Sequence, residues 1–431
     1  MLVHQAKAVL EFNWTGEYTM PGPRLYPHQW SWDSAFIAIG YSHFDQDRAM
    51  GELRHLFEAQ WKNGLLPQIV FNPHFTNYFP GPNFWHAKES PYAPQDRETS
   101  GVVLPPVHAT AALCIHRHAE DGTKAKDFLE YAFPKLRDWH DYLYRERDPE
   151  GEGLVYIRHP WESGMDNSPL WDQILQRLHL RSDQIPLYHR ADIHTVSASD
   201  RPTSDTYDRF AYLVKFFADR AYDEAKIRQD CPFLVQDVLF NSLLSKAEKD
   251  LAEIARFLGE DPSPHEESAA KTSTAIEEKL WDEDRGTYLD YDLVDGGPIR
   301  AYFGPNLAGP LYAGIADQDR AKRVVDTLEN DGFGLSDKTV TPIPSYDLHG
   351  FGFSRQRYWR GPVWININWF LMHGLEAYGY QDHAARLRKS ITELCKNEGF
   401  HEYFDPTTGG GLGSILFSWS AALLLDVLSE M

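Results

Sequence analysis

An all-α fold, closed into a ring of paired helices, is what this sequence predicts. Three observations carry the prediction. Apolar residues recur at helical spacing in about twelve segments. No run of alternating, strand-like segments appears. No compositional linker divides the 431 residues. About twelve helices close naturally into a ring of pairs, leaving the loops of one rim to carry function. The expectation is one domain over residues 1–431.

The elements follow in order. DQDRAMGELRHLFEAQWKNG spaces Met50, Leu53, Phe57 and Trp61 three to four apart and stops at Gly64. PPVHATAALCIHRHAED opens with proline, which suits a helix entry. TKAKDFLEYAFPKLRDWHDYLYRERD is a long amphipathic helix with a kink expected near Pro134. SDTYDRFAYLVKFFADRAYDEAK has Ser/Asp caps and a stripe of Tyr207, Phe210, Val214 and Phe217. VQDVLFNSLLSKAEKDLAEIARFLGED follows Pro232. Further helices fit 265–281, 317–331, 362–378, 380–397 and 414–429. Three aromatic strips, RDPEGEGLVYIRHP, WDEDRGTYLDYD and HEYFDPTTGGGLG, each set an Asp-, Gly- or Pro-rich turn beside extended residues. They are expected as short hairpins or extended strips at one end of the helices. Segment 64–100 is long and non-periodic. An ordered loop of that length is usually functional, and a lid-like insertion is expected there.

Composition narrows the function. The chain is 42% hydrophobic and 24% charged, as a globular core requires. It has no run of about 18 apolar residues, so no membrane span is expected. MLVHQAKAVLEF lacks the pattern of a secretory signal, and Cys114, Cys231 and Cys395 are too scattered for a disulfide framework or a zinc site. A cytoplasmic location is expected. The net charge of −21 disfavours nucleic acid and anionic membranes as partners. Neither a metal nor a cofactor is expected. The histidines show no metal-ligand spacing, and the glycines of 409–413 lack the lysine of a phosphate loop.

Aromatic residues make up 14% of the chain, and many sit in polar clusters. LYPHQWSWDSAF carries Tyr26, His28, Trp30, Trp32 and Asp33. HPWESGMDNSP carries Trp161, Glu162 and Asp166. RYWRGPVWININWF carries Tyr358, Trp359, Arg360, Trp364 and Trp369. GFHEYFDPTTGGG carries Glu402. Sugar rings have apolar faces and a hydroxylated rim, so tryptophan platforms beside Asp, Asn and Arg suit them. Hydrolysis of a glycoside needs two carboxyl groups in different surroundings, one protonated and one ionised. Asp166, after Met165 and near Trp161, suits the protonated role. A helix cap before Pro169 is the other reading of Asp166. Glu402, between Phe400 and Tyr403, suits the ionised role, against an exposed hairpin position. Glu162 is read as a hydroxyl-binding or helper carboxylate.

Taken together, YPHQWSWDS, HPWESGMDNSP, YWRGPVWININW and HEYFDPTTGGG followed by FSWSAAL resemble glycoside hydrolase family 63. They keep the family's order over residues 26–423. The short chain looks most like the bacterial members acting on mannosylglycerate and glucosylglycerate. The resemblance implies an (α/α)6 barrel with short β-hairpins and long loops at one rim. It implies an inverting exo-acting α-glycosidase of a small glycoside, carrying a terminal glucosyl or mannosyl residue. By resemblance, Asp166 is the general acid and Glu402 the general base. Tyr26, Trp30, Trp32, Asp33, Trp359, Arg360 and Trp364 line the sugar pocket, and Tyr78 belongs to the closing loop; Trp161, Glu162 and Tyr358, from the same clusters, are also expected to bind substrate. Leu104 stands where the glycerate-releasing group carries glutamine, so a less acidic aglycone is expected. A sugar epimerase on the same barrel and a non-catalytic sugar-binding protein are the alternatives. His28, His108 and His159 do not form an obvious acid–base pair for the epimerase. Whether copies of the chain associate into a homo-oligomer is open.

Overall fold

A computed structural model describes residues 1–190, 192–194, 196–335 and 342–429. Among these residues, the inner ring consists of the helices Ser31–Ser42, His108–Arg117, Val238–Leu258, Gly304–Tyr312, Ile365–Ala377 and Ser418–Ser429. Each packs on the next, and the last packs on the first. The outer ring is Leu2–Asn13, Gln46–Phe57, Gly122–Arg147, Ser263–Ala275, Gln318–Leu328 and Gln381–Glu398, each against an inner helix. This is the (α/α)6 barrel.

Inner helices are largely buried, with exposed residues confined to the far ends and one face of His108–Arg117 and Val238–Leu258. Ser31–Ser42 and Gly304–Tyr312 are buried at every position. Side chains at the inner contacts must be small where backbones approach. A Cβ on Gly40 would lie 2.5 Å from Ala422 Cα. Outer helices carry one apolar stripe, and three of the six described have side-chain caps, from Asp45, Asp121 and Asp317. Asp45 accepts from the Arg48 amide and Asp317 from the Arg320 amide. Gly122–Arg147 runs through Pro134 as one helix. The helix expected from residue 204 ends at Ala218, and a second one covers Glu224–Asp230. No helix of the described residues is long and apolar enough to cross a membrane.

Strands are short and flank the rim where the inner helices begin. Trp281–Asp282 pairs with Thr287–Tyr288, and His401–Phe404 pairs with Gly411–Ile415, as the expected hairpins. The strip at 147–160 differs. It is extended rather than a hairpin: the Tyr156 amide returns to the Arg147 carbonyl at 3.0 Å, but the bridge partner of Ile157 is Val235. Segment 64–100 is tied down near its ends. Gln29–Trp30 pairs with Ile69–Val70, and Val70 bridges to Thr99.

Candidate active site

The rim gathers a pocket from the starts of inner helices and the strips between them. Tyr26, Trp30, Trp32 and Asp33 come from the entry to the first inner helix, Leu104 from the entry to the second, and Phe417 and Trp419 from the last. Gln68, Ile69, Tyr78 and Pro80 come from the 64–100 segment, and Trp161, Gly164, Asp166, Arg201, Tyr207, Tyr358 and Glu402 complete the wall. The pocket opens to solvent at the rim.

Local hydrogen bonds shape the strip that carries Trp161 and Asp166. His159 Nδ1 accepts from the Trp161 amide, and Ser163 Oγ accepts from the Met165 amide. Gly164 turns the chain at φ 72°, and a Cβ there would meet the Trp32 ring at 2.5 Å. Only glycine serves both demands. The helix-cap reading of Asp166 falls on geometry. Ser168 Oγ accepts from the Leu170 amide and caps the Pro169 turn itself. Asp166 faces the pocket, and no protein side chain within the described residues hydrogen-bonds its carboxyl group. Burial pushes that carboxyl up to about 7, against the pull of Arg201, with Glu402 adding to the rise.

Glu402 lies on the first strand of its hairpin and is 1% exposed. Tyr26 donates to its Oε1 at 2.6 Å, the Ser414 amide donates to its Oε2 at 2.9 Å, and Arg201 stands 3.9 Å away. Burial raises this carboxyl too, and the pull of Arg201, the Tyr26 hydroxyl and the Ser414 amide offsets only part of the rise. The two carboxyl groups share a pocket but not a chemistry. One lacks hydrogen bonds from side chains to its anion, and the other has several donors.

The walls are aromatic. Tyr26 and Tyr78 both stand edge-on to Trp30, and Trp32 stands edge-on to Trp419 at 5.5 Å. Asp33 is buried at the start of its helix, and burial holds its carboxyl well above the usual range. A carboxyl group placed so, beside indole faces, suits sugar hydroxyls.

Four expected pocket residues lie elsewhere. Glu162 is wholly buried and points away, into a fork with Arg147. Arg360 forms its own fork with Asp172 at 2.8 and 2.5 Å and donates to the Gly352 carbonyl at 3.1 Å. Trp359 and Trp364 stack on each other at 3.8 Å, and Trp364 stacks on Tyr403 at 4.8 Å, behind Tyr358 and Glu402. They brace the wall from outside. Charge or aromaticity beside tryptophan places all four in the right neighbourhood, but does not say which way each side chain turns.

Tyr207, Trp419, Gln68 and Arg201 are among the wall residues not expected from the sequence. Tyr207 falls on a stripe that reads as core, and Trp419 within a helix. Gln68 carries no local signal, yet its Oε1 is buried without a partner. Arg201 is buried, donates to the Tyr26 hydroxyl at 3.2 Å, lies over the Tyr358 ring at 4.2 Å and pairs with Asp192 at 3.4 Å. Nothing in RPTSDTYDRF marks that arginine as special. The pocket has no histidine among the described residues. His28, His108 and His159 lie behind it, held neutral by burial with pKa values pushed down to about 4, 3 and 3. Among the described residues, the pocket offers the epimerase alternative no histidine pair.

An (α/α)6 barrel with aromatic platforms around two unlike carboxyl groups is built to hydrolyse a glycosidic bond, and the molecule is a glycoside hydrolase acting on a small glycoside. The chain belongs to the mannosylglycerate hydrolase MGH1-like glycoside hydrolase family, whose model matches residues 26–420. It is 64% identical to a mannosylglycerate hydrolase of Rubrobacter radiotolerans, covering 100% of this chain and 97% of that one. A glucosylglycerate hydrolase of Mycolicibacterium hassiacum is 36% identical over 99% of this chain and 97% of its own. Among solved structures, the GH63 mannosylglycerate hydrolase of Thermus thermophilus in complex with Tris matches with a TM-score of 0.93 and 41% identity, over 100% of both chains.

Proposed function

We propose that this enzyme removes an α-mannosyl or α-glucosyl residue from a glycerate conjugate, with inversion. Asp166 is the general acid and Glu402 the general base. The observation that carries the reading is the contrast between their surroundings. Asp166, lifted to about 7 by burial, holds a proton near neutrality. Glu402 has donors from Tyr26 and Ser414 to support its anion. Asp166 gives its proton to the glycosidic oxygen as the bond to the anomeric carbon breaks. Glu402 takes a proton from the water that attacks that carbon from the opposite face. The products are a free sugar of inverted configuration and glycerate. The whole chain, 1–431, acts as one catalytic domain, with Asp33 accepting from sugar hydroxyls and Tyr78 closing the pocket.

Glycerate as the leaving group is supported by the relatives' activities and by Arg201. That residue is the only Lys or Arg on the pocket wall among the described residues. It stands 3.9 Å from Glu402, acts on Asp166 through its charge, and can pair with a carboxylate on the substrate. Leu104 does line the pocket, but Arg201 and the Gln68 amide supply polarity that its own position lacks. The less acidic aglycone expected from Leu104 is therefore not the reading we adopt. The test compares mannosylglycerate and glucosylglycerate with the matching glycosides of glycerol, which lack the carboxylate. A charge-assisted hydrogen bond of about 1.5–3 kcal/mol predicts kcat/KM higher by about 10–100-fold for a glycerate conjugate. Equal kcat/KM for acid and alcohol overturns the glycerate assignment and leaves the glycosidase standing.

A further inference from the structure

Glu162 is the carboxylate of HPWESGMDNSP that the reaction does not use. Its surroundings give it another task. The side chain is wholly buried and accepts four hydrogen bonds. Arg147 Nη1 reaches Oε2 and Nη2 reaches Oε1, both at 3.0 Å. The Arg158 amide donates to Oε2 at 2.7 Å, and the Val103 amide to Oε1 at 3.3 Å. One carboxylate thus joins three pieces of chain: the end of the long outer helix, the start of the Asp166 strip, and the residue before Leu104.

The knot is closed by charge. Arg147 and Arg158 also pair with Glu224, at 3.2 and 3.1 Å, and Arg158 Nη2 donates to the Gly101 carbonyl at 2.9 Å. Two buried arginines face two buried glutamates. Such burial is a weak source of net stability, because the desolvation of each ion offsets the attraction. What it does supply is a fixed geometry.

Asp166 needs that geometry from its main chain. Its carboxyl group is hydrogen-bonded only to its own amide, and no side chain of the described residues hydrogen-bonds it from outside the strip. Its place is set by the strip from Arg158 to Ser168, and Glu162 anchors that strip four residues before Asp166. Trp161, next to the anchor, faces the pocket while Glu162 faces the knot.

We propose that Glu162 is a positioning residue for proton donation by Asp166, acting through the buried Arg147–Glu162–Arg158 knot. The proposal rests on Asp166 being the acid. The test uses leaving groups. A glycerate conjugate needs its oxygen protonated, whereas the α-glycosyl fluoride of the same sugar departs with little help from an acid. Glu162→Gln keeps the shape and removes the charge. A small misplacement of a reacting group lowers rate by up to about 100-fold. The expected result is therefore kcat about 10–100-fold lower on the glycerate conjugate and within about threefold of wild type on the fluoride. Glu224→Gln is the control. It removes a charge from the same cluster but leaves all four donors on Glu162, and should affect both substrates alike.

The outcomes separate the two readings. If Asp166→Asn loses both substrates equally, the acid assignment fails. If Asp166→Asn spares the fluoride but Glu162→Gln lowers both alike, Glu162 is structural only and the positioning proposal is overturned. Should Glu162→Gln not fold, Arg147→Lys carries the same test, since it keeps the charge and removes the fork. A selective loss on the conjugate supports the proposal, and an equal loss on both substrates overturns it.

Discussion

Removing the hydroxyl of Tyr26 should move one limb of the pH profile and leave the other in place. Tyr26 donates to Glu402 Oε1 at 2.6 Å, and it favours the ionised carboxylate. A hydrogen bond to a charged group is worth about 1.5–3 kcal/mol. At about 1.36 kcal/mol per pKa unit, losing it should raise the pKa of Glu402 by about 1–2 units. Glu402 must be ionised to act as base, so the acidic limb of kcat/KM should shift upward by that amount in Tyr26→Phe. The basic limb reports Asp166, which must be protonated. It should stay near the value of about 7 that burial sets. The two carboxyl groups sense each other, so the limbs report apparent values of the pair. The assay is kcat/KM from about pH 4 to about pH 9 on wild type and variant. An acidic limb that stays put or moves down refutes the argument. A downward shift would mean that Arg201, which donates to the Tyr26 hydroxyl at 3.2 Å, had turned onto Glu402 instead.

Three further outcomes follow from the same structure. Asp166→Asn should lose most of kcat on the glycerate conjugate, typically about 10²–10⁴-fold, yet melt no lower than wild type, because the carboxyl caps nothing; a lower Tm by calorimetry restores a structural role. Asp237 and Asp290 are buried together, with Oδ2 of each lacking a partner. Burial lifts Asp237 to about 7 and Asp290 well above its usual range, so their stabilising contribution is full below the unfolded pKa and is lost as pH rises through the folded values. Asp290→Asn, whose amide can donate to Asp237, should therefore raise Tm more at about pH 8 than at about pH 5, and an equal change at both contradicts the shared burial. Residues 71–85, which bring Tyr78 and Pro80 to the pocket, should exchange amide hydrogens more slowly with bound ligand; unchanged exchange at saturation speaks against a lid.

The outer helices are legible in the sequence because each presents one face to water and one to the core. Met50, Leu53 and Phe57 mark such a stripe, on a helix that the structure shows capped by Asp45. Ser31–Ser42 and Gly304–Tyr312 escape a periodicity reading, since burial all round erases the stripe and Pro310 sits inside the second. The 147–160 strip is the extended form of the two expected, and its bridge partner, Val235, is not legible because it is distant in sequence. At the pocket, dense clusters such as YPHQWSWDS and HPWESGMDNSP point to the right rim. Direction is the missing quantity. Within two adjacent residues Trp161 faces the pocket and Glu162 the charge knot, and only the turn at Pro160–Ser163 separates them. Arg201 and Gln68 stay hidden because each is a lone polar residue whose importance comes from neighbours brought in by the fold.

The division of labour between Asp166 and Glu402 is tested most directly by the configuration of the first sugar released. Proton NMR during the opening minutes of hydrolysis of an α-glycerate conjugate, before mutarotation, distinguishes the anomers. Water delivered by Glu402 to the face opposite the Asp166-protonated oxygen must give the β-anomer first. Initial release of the α-anomer would mean that Glu402 attacks carbon rather than water, and would contradict the account.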